Sequence, residues 1–259
     1  MTNEVLFVGA GPGDPDLITV AGLKAVRAAD ILVVAGSLVN PAVYQERRRL
    51  AQVVDSAPLA LDEICEIMIQ GYRDGQKVVR LHTGDPGLYG AIFEQMAILK
   101  KAEVPYRIIP GVTSALAASA ALGLEWTVPE VTQTLILSRA SGRTEVPPAE
   151  DLASLCAHRA SLALYLSAAR GPEVGRILSQ AYGPDSPVIL CYRITWPDER
   201  IVWTTAAGLA ETLNEEKLDR HTLMLAGPAI LALKSGQPVP KSRLYDSAFS
   251  HNFRTGRQK

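Results

Sequence analysis

The chain has 259 residues, of which 47% are hydrophobic and 20% charged, a composition that suits one large or two smaller globular domains. Lysine plus arginine total 26 and aspartate plus glutamate 27, so no net positive charge attracts nucleic acid. The sequence contains no apolar run near the roughly 18 residues that cross a bilayer, and no signal-peptide pattern. We therefore expect a cytoplasmic protein that binds neither nucleic acid nor membrane.

The first half of the chain alternates short apolar runs with segments of helical periodicity. Strands are predicted at residues 4–8, 31–35, 77–81 and 106–109, and helices at residues 19–29, 59–72 and 91–99. Such alternation is typical of a parallel sheet covered by helices.

After Pro129 the strand-like runs come closer together, at residues 134–137, 162–166, 188–194, 201–205 and 222–225. Proline and aspartate in residues 195–199 indicate a turn, and hence a hairpin in a mixed sheet. We predict an α/β fold with two α/β domains. Residues 1–115 form a mainly parallel sheet, residues 116–245 form a mixed sheet, and residues 246–259 form a tail.

A glycine-dense turn, Gly-Ala-Gly-Pro-Gly-Asp-Pro-Asp, directly follows the first predicted strand. A dinucleotide fingerprint requires a third glycine where this chain has Asp14. Asp14 and Asp16 stand where a helix begins, and their charge would repel a pyrophosphate there. Glycine also allows a ligand to approach the backbone closely. A site for an uncharged or cationic nucleoside is therefore favoured over a phosphate loop or a plain turn.

The Gly-Asp-Pro sequence occurs a second time at residues 84–86, again directly after a predicted strand. In an open α/β sheet, ligands bind beyond the carboxyl ends of the strands, so both turns are expected at the same edge. Because Asp-Pro is also common in ordinary turns, the pair supports a site better than either turn alone.

Two further segments are candidates for binding. Thr113 or Ser114 can cap a helix rich in alanine, whose small side chains would admit either a ligand or a neighbouring domain. Arg139 and Arg143 lie on one polar loop after a predicted strand, and the planar guanidinium suits carboxylates. Solvated surface arginines are the commoner alternative. The cysteines and histidines are scattered, so we expect no metal site.

Together the three glycine motifs resemble the tetrapyrrole methyltransferase family, and the resemblance extends over residues 5–245. Within the family, residues 135–143, 195–199 and 242–245 are similar to the branch that methylates precorrin-4 at carbon 11 in cobalamin biosynthesis. The resemblance implies S-adenosylmethionine as cofactor in a cleft between the two domains, a polycarboxylated tetrapyrrole as the small-molecule substrate, and a homodimer.

The resemblance also implies which residues bind. The cofactor residues are Pro12, Thr83, Gly84, Asp85, Leu88, Thr113, Ser114, Leu166, Ile194 and Ala226. Arg139 and Arg143 are the candidates for binding substrate. No catalytic side chain is identified, because an electron-rich ring carbon of the substrate can itself displace the methyl group from a sulfonium.

Other functions stay open at this point. A relative of different regiochemistry, acting on another corrin position, uroporphyrinogen III or a diphthamide precursor, would keep the cofactor loops and change the substrate-facing segments at residues 139–143 and Trp196. Sirohaem-type relatives carry Gly-Gly-Asp where this chain has Thr-Gly-Asp at residues 83–85, which counts against uroporphyrinogen III. A non-catalytic nucleotide-binding protein is the other alternative. Residues 85–90 are closer to the subgroup that takes the cobalt-loaded macrocycle.

Overall fold

The computed structural model describes residues 4–236, 242 and 245–256, and the predictions made on residues 1–3, 237–241, 243–244 and 257–259 lie outside the described residues. The chain forms two compact units. The first extends to Ala118 and includes Arg193–Glu199, and the second contains Ser119–Tyr192 and the residues from Arg200 onward. Arg193–Glu199 therefore groups with the first unit, although it connects two strands of the second sheet.

The first unit is built on a fully parallel five-stranded sheet. Its elements are β1 (Val5–Gly9), α1 (Val20–Ala28), β2 (Ile31–Val34), β3 (Gln52–Asp55), α2 (Leu61–Arg73), β4 (Val78–His82), α3 (Ile92–Lys101) and β5 (Tyr106–Ile109). They are followed by helix α4 (Ser114–Leu122), which begins in this unit and extends past its last residue, Ala118. The strand order is β3-β2-β4-β1-β5. This architecture confirms the predicted parallel sheet.

Apolar side chains cover both faces of the first sheet. Val8 and Leu32 pack with α1 on one face, and Phe7 packs with α2 and α3 on the other. Helix α1 begins at Val20, one residue after the start of the predicted segment, and the Thr19 hydroxyl caps it by accepting a hydrogen bond from the Gly22 N–H at 3.1 Å. Burial on both faces explains the continuous apolar runs in this half of the sequence.

Strand β3 was not predicted from the sequence, and its position in the sheet explains why. It lies at the edge of the sheet, and three of its four residues are exposed. A strand that buries so little of its surface carries no apolar run to mark it.

The second unit contains a mixed five-stranded sheet. Its elements are β6 (Leu135–Arg139), α5 (Leu152–Cys156), β7 (Ser161–Tyr165), α6 (Gly171–Tyr182), β8 (Pro187–Tyr192), β9 (Arg200–Thr205), α7 (Leu209–Glu215), β10 (Thr222–Ala226) and α8 (Pro228–Ser235). The order is β6-β7-β10-β8-β9, in which β6 and β7 are parallel and the other pairs antiparallel. The mixed sheet and the β8–β9 hairpin are confirmed.

Two strand ends in this unit were predicted wrongly. The strand predicted to reach residue 166 ends at Tyr165, and Leu166 has a left-handed φ of 53°. The strand predicted to reach residue 194 ends at Tyr192, and Arg193 has a φ of 43°. Left-handed residues break the hydrogen-bonded ladder of a sheet, so both strands end one or two residues earlier than their apolar content suggested.

No individual helix was predicted in the second half, and α6 shows why. It begins with Gly-Pro and carries a further glycine, residue types that disfavour helices. Glycine is required by packing at position 175, since a Cβ there would lie 2.8 Å from the Ala206 carbonyl oxygen, whereas a Cβ at Gly171 would only have to displace Leu213 Cδ1, 2.6 Å away. Among the described residues, no helix has both the length and the apolar character that a membrane span requires.

Strand β4 buries two basic side chains, Arg80 and His82, which are 5% and 3% exposed. The Arg80 guanidinium donates hydrogen bonds to Ser56 Oγ at 2.9 Å and Gln95 Oε1 at 3.2 Å. Burial, together with the nearby positive charge of Arg80, lowers the pKa of His82 to about 3. The imidazole therefore stays neutral in the folded protein.

The buried His82 predicts a loss of stability in mild acid. Unfolded histidine has a pKa near 6.5, so between about pH 6.5 and 3 the unfolded chain binds a proton that the folded chain does not. The free energy of unfolding should fall by about 2 kcal/mol from pH 7.5 to pH 5 through this residue. Urea unfolding should show that His82→Phe removes most of this dependence of the free energy of unfolding on pH. The control variant His158→Gln, at an exposed histidine, should keep the same dependence. An unchanged slope in His82→Phe would contradict the assignment.

Candidate active site

Three glycine-containing loops emerge side by side at the carboxyl edge of the first sheet. We name residues 10–14 after β1 the first loop, residues 83–90 after β4 the second loop, and residues 110–113 after β5 the third loop. Their strands are neighbours in the order β4-β1-β5. The Gly84 N–H donates to the Gly11 carbonyl at 2.8 Å, and the Gly11 N–H donates to the Gly84 carbonyl at 3.2 Å. The first and second loops are thus paired through their backbones.

The three loops approach so closely that only glycine fits at their crossing. A Cβ at Gly111 would lie 2.1 Å from the Gly84 carbonyl oxygen and 2.8 Å from Gly9 Cα. A Cβ at Gly9 would lie 2.6 Å from Gly111 Cα. Real Cβ atoms do not approach backbone at such distances, so these glycines are required by packing.

Asp85 braces the second loop against the third. One carboxylate oxygen accepts a hydrogen bond from the Gly111 N–H at 2.8 Å, and the other accepts one from the Gly87 N–H at 2.8 Å. Both carboxylate oxygens are therefore hydrogen-bonded to backbone N–H groups. Sequence reasoning missed this role, because it depends on a contact between residues 26 positions apart.

The third loop leads directly into α4. The Thr113 carbonyl accepts hydrogen bonds from the N–H groups of Leu116 and Ala117, both at 3.1 Å, and Ser114 is the first helical residue. This confirms the predicted helix start. Thr113 and Ser114 are half-buried, as are Thr83, Gly84 and Asp85 on the second loop.

Gly84 differs from the glycines that are packed against backbone. Its φ is +59°, and the nearest atoms to a Cβ built there are Thr113 Cα at 3.8 Å and the Val112 carbonyl oxygen at 3.9 Å. These are ordinary van der Waals distances, so a Cβ at Gly84 would meet no clash, unlike one at Gly9 or Gly111. The absence of a side chain allows a ligand to approach the Gly84 backbone closely.

Carboxylates mark the end of the first loop. Asp14 Oδ1 accepts a hydrogen bond from the Asp16 N–H at 2.9 Å and caps the short 3₁₀ helix Pro15–Leu17. The helix start that could have bound a phosphate thus already holds a carboxylate. The electrostatics of this loop favour a neutral or cationic ligand.

The structure brings seven of the ten predicted cofactor residues to one edge. They lie on the three loops or at the start of α4, and they are Pro12, Thr83, Gly84, Asp85, Leu88, Thr113 and Ser114. Ile194 belongs to Arg193–Glu199 and is 3% exposed.

Leu166 and Ala226 lie in the second unit, and the structure does not bring them together. Leu166 follows the carboxyl end of β7 and is 72% exposed. Ala226 pairs with Leu162 at the opposite end of β7, because β10 runs antiparallel to β7. Leu162, the partner of Ala226, and Leu166 are four positions apart along the chain, which corresponds to roughly 13 Å in an extended strand.

The two predicted substrate arginines have different surroundings. The Arg139 guanidinium donates hydrogen bonds to the carbonyls of Thr144 at 2.9 Å and Glu145 at 2.8 Å, so it holds its own loop in shape. Arg143, at the tip of that loop, is exposed. Among the described residues, no group of three or more histidine, cysteine, aspartate or glutamate residues is arranged to hold a metal ion.

Comparison with known proteins relates this geometry to a family. A sequence profile described as Tetrapyrrole (Corrin/Porphyrin) Methylases matches residues 4–210. A cobalt-precorrin-4 C(11)-methyltransferase from Priestia megaterium is 43% identical, and the alignment covers 98% of this chain and 98% of that protein. A precorrin-4 C(11)-methyltransferase from Pseudomonas aeruginosa is 42% identical, with 97% of this chain and 99% of that protein covered.

Solved structures show the same similarity. The X-ray structure of a cobalamin biosynthetic enzyme, cobalt precorrin-4 methyltransferase, has a TM-score of 0.85 and 44% identity, and the match covers 88% of this chain and 95% of that one. A uroporphyrin-III-C-methyltransferase from Thermus thermophilus has a TM-score of 0.74 and 26% identity, over 93% and 99% of the two chains. The chain belongs to the tetrapyrrole (corrin/porphyrin) methylase family.

Proposed function

We propose that this protein methylates carbon 11 of precorrin-4, or of its cobalt form, with S-adenosylmethionine as donor, in cobalamin biosynthesis. The observation that carries the proposal is an identity of 43% over 98% of the chain with a relative named for that reaction. The loop geometry agrees with this reaction, because a cationic nucleoside can approach the Gly84 backbone closely and is favoured by the Asp14 carboxylate at the end of the first loop.

The residues of the three loops fit this cofactor. Pro12, Gly84 and Thr113 would contribute backbone and small side chains to the site, and Asp85 would hold the second loop against the third. When bound, S-adenosylmethionine supplies an electrophilic methyl group on a sulfonium. Leu166, Ile194 and Ala226 remain further proposed contacts.

The chain's own contribution is to bind and orient. An electron-rich ring carbon of the substrate would take up the methyl group with release of a neutral thioether, so no side chain has to act as nucleophile. Holding two reactants in line can lower a barrier by roughly 7–11 kcal/mol. Asp85 acts in this proposal as a brace, because its two oxygens accept backbone hydrogen bonds from Gly87 and Gly111.

Substrate recognition is expected to depend on local arginines. The macrocycle carries many carboxylates, whereas the net charge of the protein is −1. Arg143 is exposed at its loop tip, and Arg139 holds the carbonyls that shape the same loop. We therefore assign direct carboxylate binding to Arg143 and loop positioning to Arg139.

Replacing Arg143 by alanine should raise the KM for the tetrapyrrole about tenfold, since a hydrogen bond to a charged group contributes roughly 1.5–3 kcal/mol. Affinity for S-adenosylhomocysteine should not change. Lysine should rescue only partly, because a point charge cannot copy the planar fork. Arg139→Ala should also raise this KM, and Arg139→Lys should not restore it, because both its carbonyl partners need the fork. If Arg143→Ala leaves the KM unchanged, the substrate is held elsewhere.

Turnover tests the proposed function. The purified protein should add one methyl group to precorrin-4 or cobalt-precorrin-4, detected by mass, and should leave uroporphyrinogen III unchanged. Parallel reactions with and without cobalt identify the form used, and the character of residues 85–90 favours the cobalt form. Methylation of uroporphyrinogen III would instead support the sirohaem-type alternative. Failure to bind S-adenosylhomocysteine would favour a non-catalytic protein. The homodimer and the cytoplasmic location stay predictions.

A further inference from the structure

The segment Arg193–Glu199, here named the tryptophan turn, holds the first loop from a distant part of the sequence. The Trp196 Nε1–H donates to the Pro12 carbonyl at 2.9 Å, and the Asp14 N–H donates to Thr195 Oγ1 at 3.0 Å. A Cβ at Gly13 would lie 2.1 Å from Trp196 Cδ1, so the indole packs directly on the glycine between these two bonds. Three consecutive loop residues are thus fixed by two residues of the turn.

The tryptophan turn is itself braced. The Arg193 guanidinium lies 3.9 Å from the centre of the Trp196 ring and forms an ion pair with Asp198 at 2.6 Å. The Thr195 N–H donates to a carboxylate oxygen of Glu199. Arg193 and Thr195 have φ values of 43° and 67°, left-handed conformations that cost of order 1–3 kcal/mol each for residues other than glycine. Such backbone persists where surrounding contacts over-determine it.

We propose that Thr195 and Trp196 are positioning residues for the cofactor. They fix the backbone of Pro12, Gly13 and Asp14 in the conformation that binds S-adenosylmethionine, and they act through that loop without touching substrate. The inference rests on the proposed function, in which the first loop binds this cofactor. It also revises the expectation that Trp196 faces the tetrapyrrole, since its indole N–H and edge are directed at Pro12 and Gly13.

Four substitutions separate the contacts. Trp196→Phe keeps an aromatic ring and removes the N–H, and Thr195→Val keeps the shape and removes the hydroxyl. Each should weaken S-adenosylhomocysteine binding five- to tenfold, the effect of one lost hydrogen bond. Trp196→Ala should weaken it further, and Thr195→Ser should bind as the wild type does. Trp203→Phe, on β9 of the other sheet, is the matched control and should have no effect.

Calorimetry with S-adenosylhomocysteine and steady-state kinetics on the full chain together decide the matter. In Trp196→Phe and Thr195→Val the KM for S-adenosylmethionine should rise, while kcat, the KM for the tetrapyrrole and the melting temperature stay close to wild type. Wild-type affinity in both variants would overturn the positioning role and leave the proposed function standing. A rise in only the tetrapyrrole KM, or a lower melting temperature that Thr195→Ser shares, would also overturn it. A wild-type protein without affinity for S-adenosylhomocysteine would overturn both proposals.

Discussion

Gly84→Val is expected to abolish measurable binding of S-adenosylhomocysteine while the protein stays folded. The valine side chain would extend into the space beside Gly84, where the nearest atoms to its Cβ lie 3.8 and 3.9 Å away. A φ of +59° adds strain of roughly 1–2 kcal/mol, which a protein of ordinary stability tolerates. Calorimetry should therefore show a loss of affinity of at least a hundredfold, and thermal unfolding a modest decrease in stability.

Gly75→Val is the matched control. Gly75 also has a left-handed φ, +74°, with no atom within 4 Å of a built Cβ, and it precedes β4 at the opposite edge of the sheet. It should lose a similar amount of stability and keep wild-type affinity. Normal binding by Gly84→Val, or an equal loss of binding in Gly75→Val, would contradict the assignment of this space to the cofactor.

Gly111→Ala is expected to have the largest effect on folding. Its Cβ would lie 2.1 Å from the Gly84 carbonyl oxygen and 2.8 Å from Gly9 Cα, and neither backbone atom can move without breaking the pairing of the loops. We expect a loss of about 4 kcal/mol or more, a large part of the 5–15 kcal/mol that stabilises a typical domain. Urea unfolding should measure this loss of stability, and a failure to obtain soluble protein would also be consistent with it.

The control for this steric prediction is Gly142→Ala. No atom lies within 4 Å of a Cβ built at Gly142, and its φ lies outside the left-handed range. Its stability should remain within about 0.5 kcal/mol of wild type. A Gly111→Ala protein as stable as Gly142→Ala would show that the three loops can separate at little cost.

Much of the first unit was predictable, because its signals are local. Apolar runs mark strands that are buried on both faces, and glycine motifs mark the loops at the strand ends. Strand adjacency then places those loops at one edge. The exposed edge strand β3 lacks such a signal and was missed.

The remaining site features depend on long-range geometry. The brace from Asp85 to Gly111 and the bond from Trp196 to Pro12 join residues that no local pattern relates. The sequence therefore indicated which loops form the proposed site but not what holds them in place.

The most direct test of the proposed reaction is the position of the transferred methyl group. The protein should be incubated with S-adenosylmethionine carrying an isotope-labelled methyl group and with precorrin-4, in both the cobalt and the metal-free form. NMR of the product should then locate the label at carbon 11 of the macrocycle. A label at any other ring carbon, or no transfer to either form, would contradict the proposed function.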